Sequence, residues 1–230
     1  MQKLAIFCLV LIMIVFDAEA VNFGLVRQRA LKAPQKAVSN ITSLTHYLIK
    51  PFKDEEERVY VIAYWIASHI AYDSYKSYEL LKSGKTRLNY DVLEARSGIC
   101  GDFAALFQDM ATAAGIKNVE TVRGYVLENQ NSLKKHYRQK DMPEIGHAWN
   151  KVTLGKRSFF VDTTFMAKEK IGQEYENRNF VPKFKHKIEL KNRARRNEVN
   201  QNITEFFIDF TPKKELKEYG ILHIRDKYVK

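Results

Sequence analysis

The chain has 230 residues, 45% hydrophobic and 12% aromatic, enough to bury an ordinary core. Its formal net charge of +11 favours acidic partners: anionic lipid surface, polyanionic wall polymers or acidic proteins. Nucleic acid is not expected, because no nucleic-acid-binding motif accompanies that charge.

The first twenty residues read as an export signal. Lys3 supplies a short positive start, residues 4–16 form an apolar run, and Ala18-Glu19-Ala20 is a small-x-small cleavage site. The run is too short for a membrane anchor, which needs roughly 20 residues. Cys8 lies inside it with apolar residues following, so lipid modification at a cleavage site is not expected. A secreted or periplasmic mature chain is expected to begin near Val21. Losing Lys3, Asp17 and Glu19 makes it one unit more positive, and one cysteine, Cys100, remains. A lone thiol cannot close an internal disulfide, so it is either inert filling or a nucleophile.

Residues 21–53 read as an N-terminal helical arm with an amphipathic stretch near residues 44–49, ended by Pro51. Asp54 with Glu57 three residues later is a capping-box arrangement. Val59, Ile62, Ala63, Ile66 and Ile70 then predict a helix with one buried face. Trp65 and His69 lie near that face and are read first as core. Residues 73–89 form a polar connection, and Tyr90 to Glu94 lead into a turn at Arg96-Ser97-Gly98. From Cys100 a helix runs to Ala114, with Phe103, Leu106, Phe107 and Met110 on one face and Gly115 as its stop. Strands are predicted over 119–127, 148–154 and 158–165, with a basic polar loop over 129–143.

Residues 168–196 carry ten Lys or Arg against four Glu, ordinarily a solvated face, and otherwise a contact for anionic surfaces. Phe206-Phe207-Ile208-Asp209-Phe210 reads as a strand, and Thr211-Pro212 opens a last short helix.

Cys100 opens a helix, where unpaired amides and the dipole favour a thiolate and the Cys100 amide can help hold an oxyanion. Gly98 and Gly101 leave its approach uncrowded. Downstream, Gly155-Lys156 fits a two-residue hairpin turn. That register sets Leu154 opposite Arg157, Trp149 opposite Asp162 and His147 opposite Thr164. His147 and Asp162 become diagonal neighbours on one side of the ribbon, ~7–8 Å apart between backbones. A His beside a Trp is ordinarily a half-buried residue, and a strand Asp ordinarily an edge residue. In this order and on this hairpin, the three read together as nucleophile Cys100, base His147 and orienting carboxylate Asp162. No His-Glu-x-x-His, paired Cys-x-x-Cys or phosphate-cradling Gly-rich loop is present, so neither metal nor cofactor is expected.

Gly98-Ile99-Cys100-Gly101-Asp102-Phe103-Ala104, Arg123-Gly124-Tyr125, His147-Ala148-Trp149-Asn150 and Phe160-Val161-Asp162-Thr163-Thr164 resemble the transglutaminase-like superfamily. The likeness is closest to the small domains of its bacterial and kyphoscoliosis-peptidase (cytokinesis-protein) branch. Ile70-Ala71-Tyr72-Asp73 is similar to the helix end before the nucleophile there, and residues 206–216 to the closing strand and helix. The resemblance implies an α+β, papain-like cysteine-protease fold with the nucleophile helix packed on an antiparallel β-sheet. It makes residues 54–230 the domain, with a basic insertion around 168–205. It also implies thiol acyl transfer on amides of a protein or peptide substrate.

Phe165 stands where the family often has Trp. Glu94 stands where papain-type enzymes carry Gln, and a carboxylate suits an oxyanion poorly, so Tyr72, Trp65 and Trp149 are the candidates for oxyanion or substrate contacts. The leading expectation is an exported, monomeric cysteine hydrolase acting on peptide or isopeptide amides, on acidic substrates if the charge is a guide. A transglutaminase passing the acyl group to an amine comes second. A catalytically silent scaffold that binds a partner protein comes third. Calcium-type acidic clusters and extra sandwich domains are missing, which favours hydrolysis.

Overall fold

The computed structural model describes residues 21–72, 89–128, 146–167 and 221–225. The leader expected over 1–20, the loop expected at 129–143, the basic stretch at 168–196 and the strand and helix expected over 206–216 lie outside them.

The arm is helical, as its amphipathic stretch predicts. It holds α1 (Phe23–Leu31), a 3-10 turn (Gln35–Ser39) and α2 (Ile41–Ile49). Asn22 and Asn40 cap the two helices by accepting from the Leu25 and Ser43 amides at 3.0 and 2.8 Å. Next comes α3 (Glu55–His69), capped by Asp54, which accepts from the Glu56 amide at 2.8 Å. Here the expectation of one buried face is corrected. Every residue from Val59 to Ser68 is buried, because α3 is enclosed by α1, α2 and two later helices.

Strand β1 (Ala71–Tyr72) pairs in parallel with β2 (Ser97–Gly98), setting Tyr72 against Gly98. Between them, α4 (Asn89–Ala95) occupies the stretch read as a lead into a turn. Arg96, at φ 53, makes the turn itself.

The long helix α5 (Cys100–Ala113) ends as predicted. Gly115, at φ 88, lets its own amide reach Thr112 O at 3.0 Å and the Ile116 amide reach Ala111 O at 3.0 Å, the paired Schellman bonds. On one side α5 packs against α2 and α3, and on the other against the sheet.

Among the described residues that sheet has four antiparallel strands in the order β5-β4-β3-β6. They are β3 (Val119–Glu128), β4 (His147–Leu154), β5 (Arg157–Val161) and β6 (Ile221–Arg225). The strand β6 falls beyond the last helix expected from the sequence and was not anticipated. The Cys100-bearing helix on an antiparallel sheet is the α+β arrangement expected.

The hairpin register is also the expected one. Leu154 faces Arg157 and Asn150 faces Val161. Gly155 carries the positive φ of 58 that such a turn requires at its first central position. The strand expected to run through residue 165 stops at Val161, however. Thr163–Met166 is a short helix, α6, capped by Asp162, so Thr164 does not pair with His147.

Candidate active site

The early end of β5 builds the site. In a two-residue hairpin the closing pair, Leu154 and Arg157, exchanges both backbone bonds. Every second residue of β4 (152, 150 and 148) therefore turns its amide toward β5. With β5 gone after Val161, the Ala148 amide faces no strand on that side. It hydrogen-bonds the Cys100 sulfur instead.

Asp162, at the same break, does two things. Oδ1 accepts from the Thr164 and Phe165 amides, both at 2.9 Å, which locks the carboxylate as the cap of α6. Oδ2 lies 2.6 Å from His147 Nε2 in a contact where both side chains are nearly sealed from water, at 6% and 1% exposure. With Nε2 held by the carboxylate, the ring's other nitrogen is left for the thiol, and His147 and Cys100 are hydrogen-bonded. The half-buried thiol thus meets an imidazole oriented by a carboxylate that is itself fixed by two backbone amides.

The electrostatics follow from that order. Burial pushes the Cys100 thiol up, but the His147 hydrogen bond, the charge of its ring and the Ala148 bond together bring it below the ordinary thiol value. For His147, burial pulls the ring down, while the charge and hydrogen bond of Asp162, followed by those of Cys100, raise it to about 10. Both directions favour a thiolate beside an imidazolium.

The ring is held from its sides as well. Trp149 stacks on His147 with centroids 5.8 Å apart and planes at 20°. Phe165 meets the ring edge-on at 5.1 Å. Sequence reasoning noted Phe165 only as a departure from Trp, because its contact with the imidazole depends on the turn into α6.

Two further residues shape the turn that leads into Cys100. Asp102, in the first turn of α5, accepts from the Ile99 amide at 2.9 Å. A Cβ on Gly98 would fall 2.7 Å from Asp102 Cβ, so the glycine is needed for this carboxylate and not mainly for substrate approach. Gly101 does open onto free space.

Asn150, fully buried on β4, donates to Ala104 O of α5 at 3.0 Å and to Thr121 Oγ1 of β3 at 3.3 Å. Thr121 in turn donates to Gln108 Oε1 of α5, through its hydroxyl at 2.6 Å and its amide at 2.9 Å. These bonds tie the helix carrying Cys100 to the strand carrying His147. A polar residue on a strand face covered by a helix was the available signal.

Of the remaining candidates, Tyr72 is buried against Phe103, with centroids 6.4 Å apart, and its backbone pairs with Gly98, two residues before Cys100. Trp65 is a core residue, with its ring enclosed between His69 at 4.7 Å and the Arg96 guanidinium at 5.1 Å. Glu94 is exposed on α4. No cluster of metal-ligating side chains occurs among the described residues.

Residues 42–163, just over half of the chain and including Cys100, His147 and Asp162, match the family model described as the transglutaminase-like superfamily. Kyphoscoliosis peptidase from Mus musculus is 32% identical over 127 residues, 55% of this chain. The Homo sapiens protein of that name is 32% identical over 129 residues, 56% of the chain. The match spans 18% of the length of each of those relatives. A solved structure described as "Crystal structure of a TGase" aligns at TM-score 0.34 and 16% identity, over 65% of this chain and 35% of that one. The chain belongs to the transglutaminase-like superfamily.

Proposed function

We propose that this chain is an exported cysteine-dependent amide hydrolase, a peptidase or isopeptidase, with Cys100, His147 and Asp162 as its catalytic triad. The observation that carries the reading is the shared imidazole of His147. It lies 2.6 Å from the Asp162 carboxylate through one nitrogen and is hydrogen-bonded to the Cys100 thiol.

In the first half-reaction the thiolate attacks the carbonyl carbon, an S–C bond forms, and the oxygen becomes an oxyanion within reach of the Cys100 amide. The C–N bond then breaks as the imidazolium gives its proton to the departing amine, leaving a thioester. In the second, neutral His147 takes a proton from water as the water attacks the thioester. The S–C bond breaks, the acid leaves and the thiolate–imidazolium pair is restored. Asp162 keeps the ring oriented throughout.

Water is preferred over an amine as acceptor because the matched relatives bear the name peptidase. Export rests on the leader pattern of residues 1–20. Incubating a tryptic peptide mixture with the protein and a dansylated primary amine tests the reaction type. Hydrolysis creates new termini without dansyl label. Dansyl incorporation dependent on Cys100 would overturn hydrolysis in favour of transamidation, and neither product would favour a silent scaffold.

A further inference from the structure

The arm that precedes α3 carries one sign of charge. Residues 21–53 hold six Lys or Arg and no Asp or Glu. Arg27 is used within the fold, donating to Tyr64 Oη at 3.2 Å. Lys32, Lys36, Lys50 and Lys53 are exposed and form no ion pair among the described residues. The carboxylates that follow serve α3: Asp54 caps it, and Glu56 is held by Tyr60 at 3.0 Å and by Arg157 at 2.9 Å.

Reciprocal bonds fasten α1 to α2. Pro51 has no N–H to give the Tyr47 carbonyl four residues back, so that carbonyl is left open at the end of α2. Arg29 fills the gap, donating to Tyr47 O from Nε at 3.0 Å and also from Nη2, with its guanidinium 3.5 Å from the centroid of the Tyr47 ring. Tyr47 returns a bond from its hydroxyl to Lys32 O at 3.3 Å.

Beside this clasp lies a groove of about 240 Å³, walled by Leu25, Gln28, Arg29, Lys32, Tyr47 and Pro51. It is smaller than the roughly 300–1,000 Å³ of a small-molecule site and suits one or two side chains of a peptide. Its apolar part is Leu25, Pro51 and the Tyr47 ring, and Leu25 is 37% exposed, one of two large hydrophobic residues left so open among the described residues. Its polar part is cationic. Arg29 is half-buried, keeps N–H donors beyond those given to Tyr47 O, and meets no carboxylate among the described residues. An anion seated there would meet a partly desolvated charge, where attraction is stronger than at the open surface.

We propose that this groove docks an acidic segment of a partner polypeptide, with an apolar side chain against Leu25, Tyr47 and Pro51 and a carboxylate at Arg29 and Lys32. The walls are already fixed by the clasp, so little ordering opposes binding. A recess suits an inserting side chain, whereas a flat bilayer would bridge it and leave Arg29 untouched. None of the six residues belongs to the site around Cys100, so the proposal stands apart from the hydrolase reading.

Fluorescence anisotropy of a labelled peptide alternating Glu with Leu tests this on the wild type and on Cys100→Ala, which cannot consume the peptide. Both should bind it alike, more weakly with added salt. Gln-for-Glu and Ser-for-Leu peptides should each bind several-fold more weakly. Lys32→Glu and Leu25→Asp, at exposed positions, should each raise Kd about three- to ten-fold, as one attraction at the rim becomes a repulsion. Lys156→Glu, the same charge change on the β4–β5 turn, should leave Kd unchanged.

A Kd unmoved in Lys32→Glu and Leu25→Asp, or moved as much in Lys156→Glu, overturns the groove. Binding lost in Cys100→Ala overturns it as well, since the peptide would then sit at the thiol. Equal binding of the Gln or Ser peptide overturns the ligand class. Absence of peptide binding overturns the proposal outright, and sedimentation on phosphatidylserine vesicles would then assign the charge to a membrane surface.

Discussion

Two histidines of this fold each lie against a tryptophan, and their surroundings drive them in opposite directions. His69 stacks on Trp65 at 4.7 Å with planes at 8°. Burial pulls it down, its bond to the Trp65 carbonyl at 3.0 Å opposes that, and Arg96 adds to the fall, leaving it at about 4. His147 stacks on Trp149 at 5.8 Å and is more deeply buried, yet it is raised to about 10. An aromatic neighbour is common to both and so cannot account for the difference. The carboxylate of Asp162 can, and it stands 2.6 Å away only because the chain leaves the sheet there to start a helix. One ring is kept neutral in the core and the other is kept charged beside a thiol, on the strength of a single cap.

Removing His147 should have the largest effect. In the proposed reaction His147→Ala takes away both the base and the proton donor, and amide turnover should drop by about 10³–10⁴-fold.

Asp162→Asn comes next and is the sharper variant, because an amide oxygen can still accept from Thr164 and Phe165 while the charge is gone. Its turnover should fall by about 10²-fold. The His147 ring, followed by NMR, should titrate near the ordinary 6.5 instead of about 10. A raised imidazole contributes stability that is full below 6.5 and is lost as pH rises through about 10. Asp162→Asn should therefore flatten the alkaline limb of urea stability measured against pH.

The other histidine should show the opposite sign. Between 6.5 and about 4 the unfolded chain binds a proton that folded His69 refuses. Stability is full above 6.5 and falls toward pH 4, by at most about 3 kcal/mol. His69→Phe keeps a ring against Trp65 and should remove this acid-limb loss, with turnover near neutral pH unchanged.

The smallest of these effects belongs to the tie between helix and sheet. Asn150→Ala should cost about 1–3 kcal/mol in urea unfolding, since Ala104 O loses a buried donor.

The sequence carried the helix over Cys100, its glycine stop and the hairpin register, because each depends on a local signal: periodicity, a positive-φ residue, a two-residue turn. The meeting of His147 with Asp162 was legible for the same reason, since a hairpin converts spacing into a face. What escaped depends on neighbours distant in sequence. Enclosure of α3 on every side comes from four other helices, and no pattern within 55–69 announces them. The end of β5 at Val161 was hidden because Val-Asp-Thr-Thr-Phe suits a strand as well as a capped turn. The cap prevailed because Asp162 satisfies two amides and an imidazole at once. The role of Phe165 and the released Ala148 amide both follow from that one turn.

The central claim is that the imidazole propped by Asp162 activates Cys100, and the rate of Cys100 alkylation by iodoacetamide against pH tests it most directly. Labelling should be fast well below pH 8 in the wild type and should revert to the profile of an ordinary thiol in His147→Ala. Slow labelling of the wild type that rises only near the ordinary thiol pKa, unaltered by the His147 substitution, would contradict it.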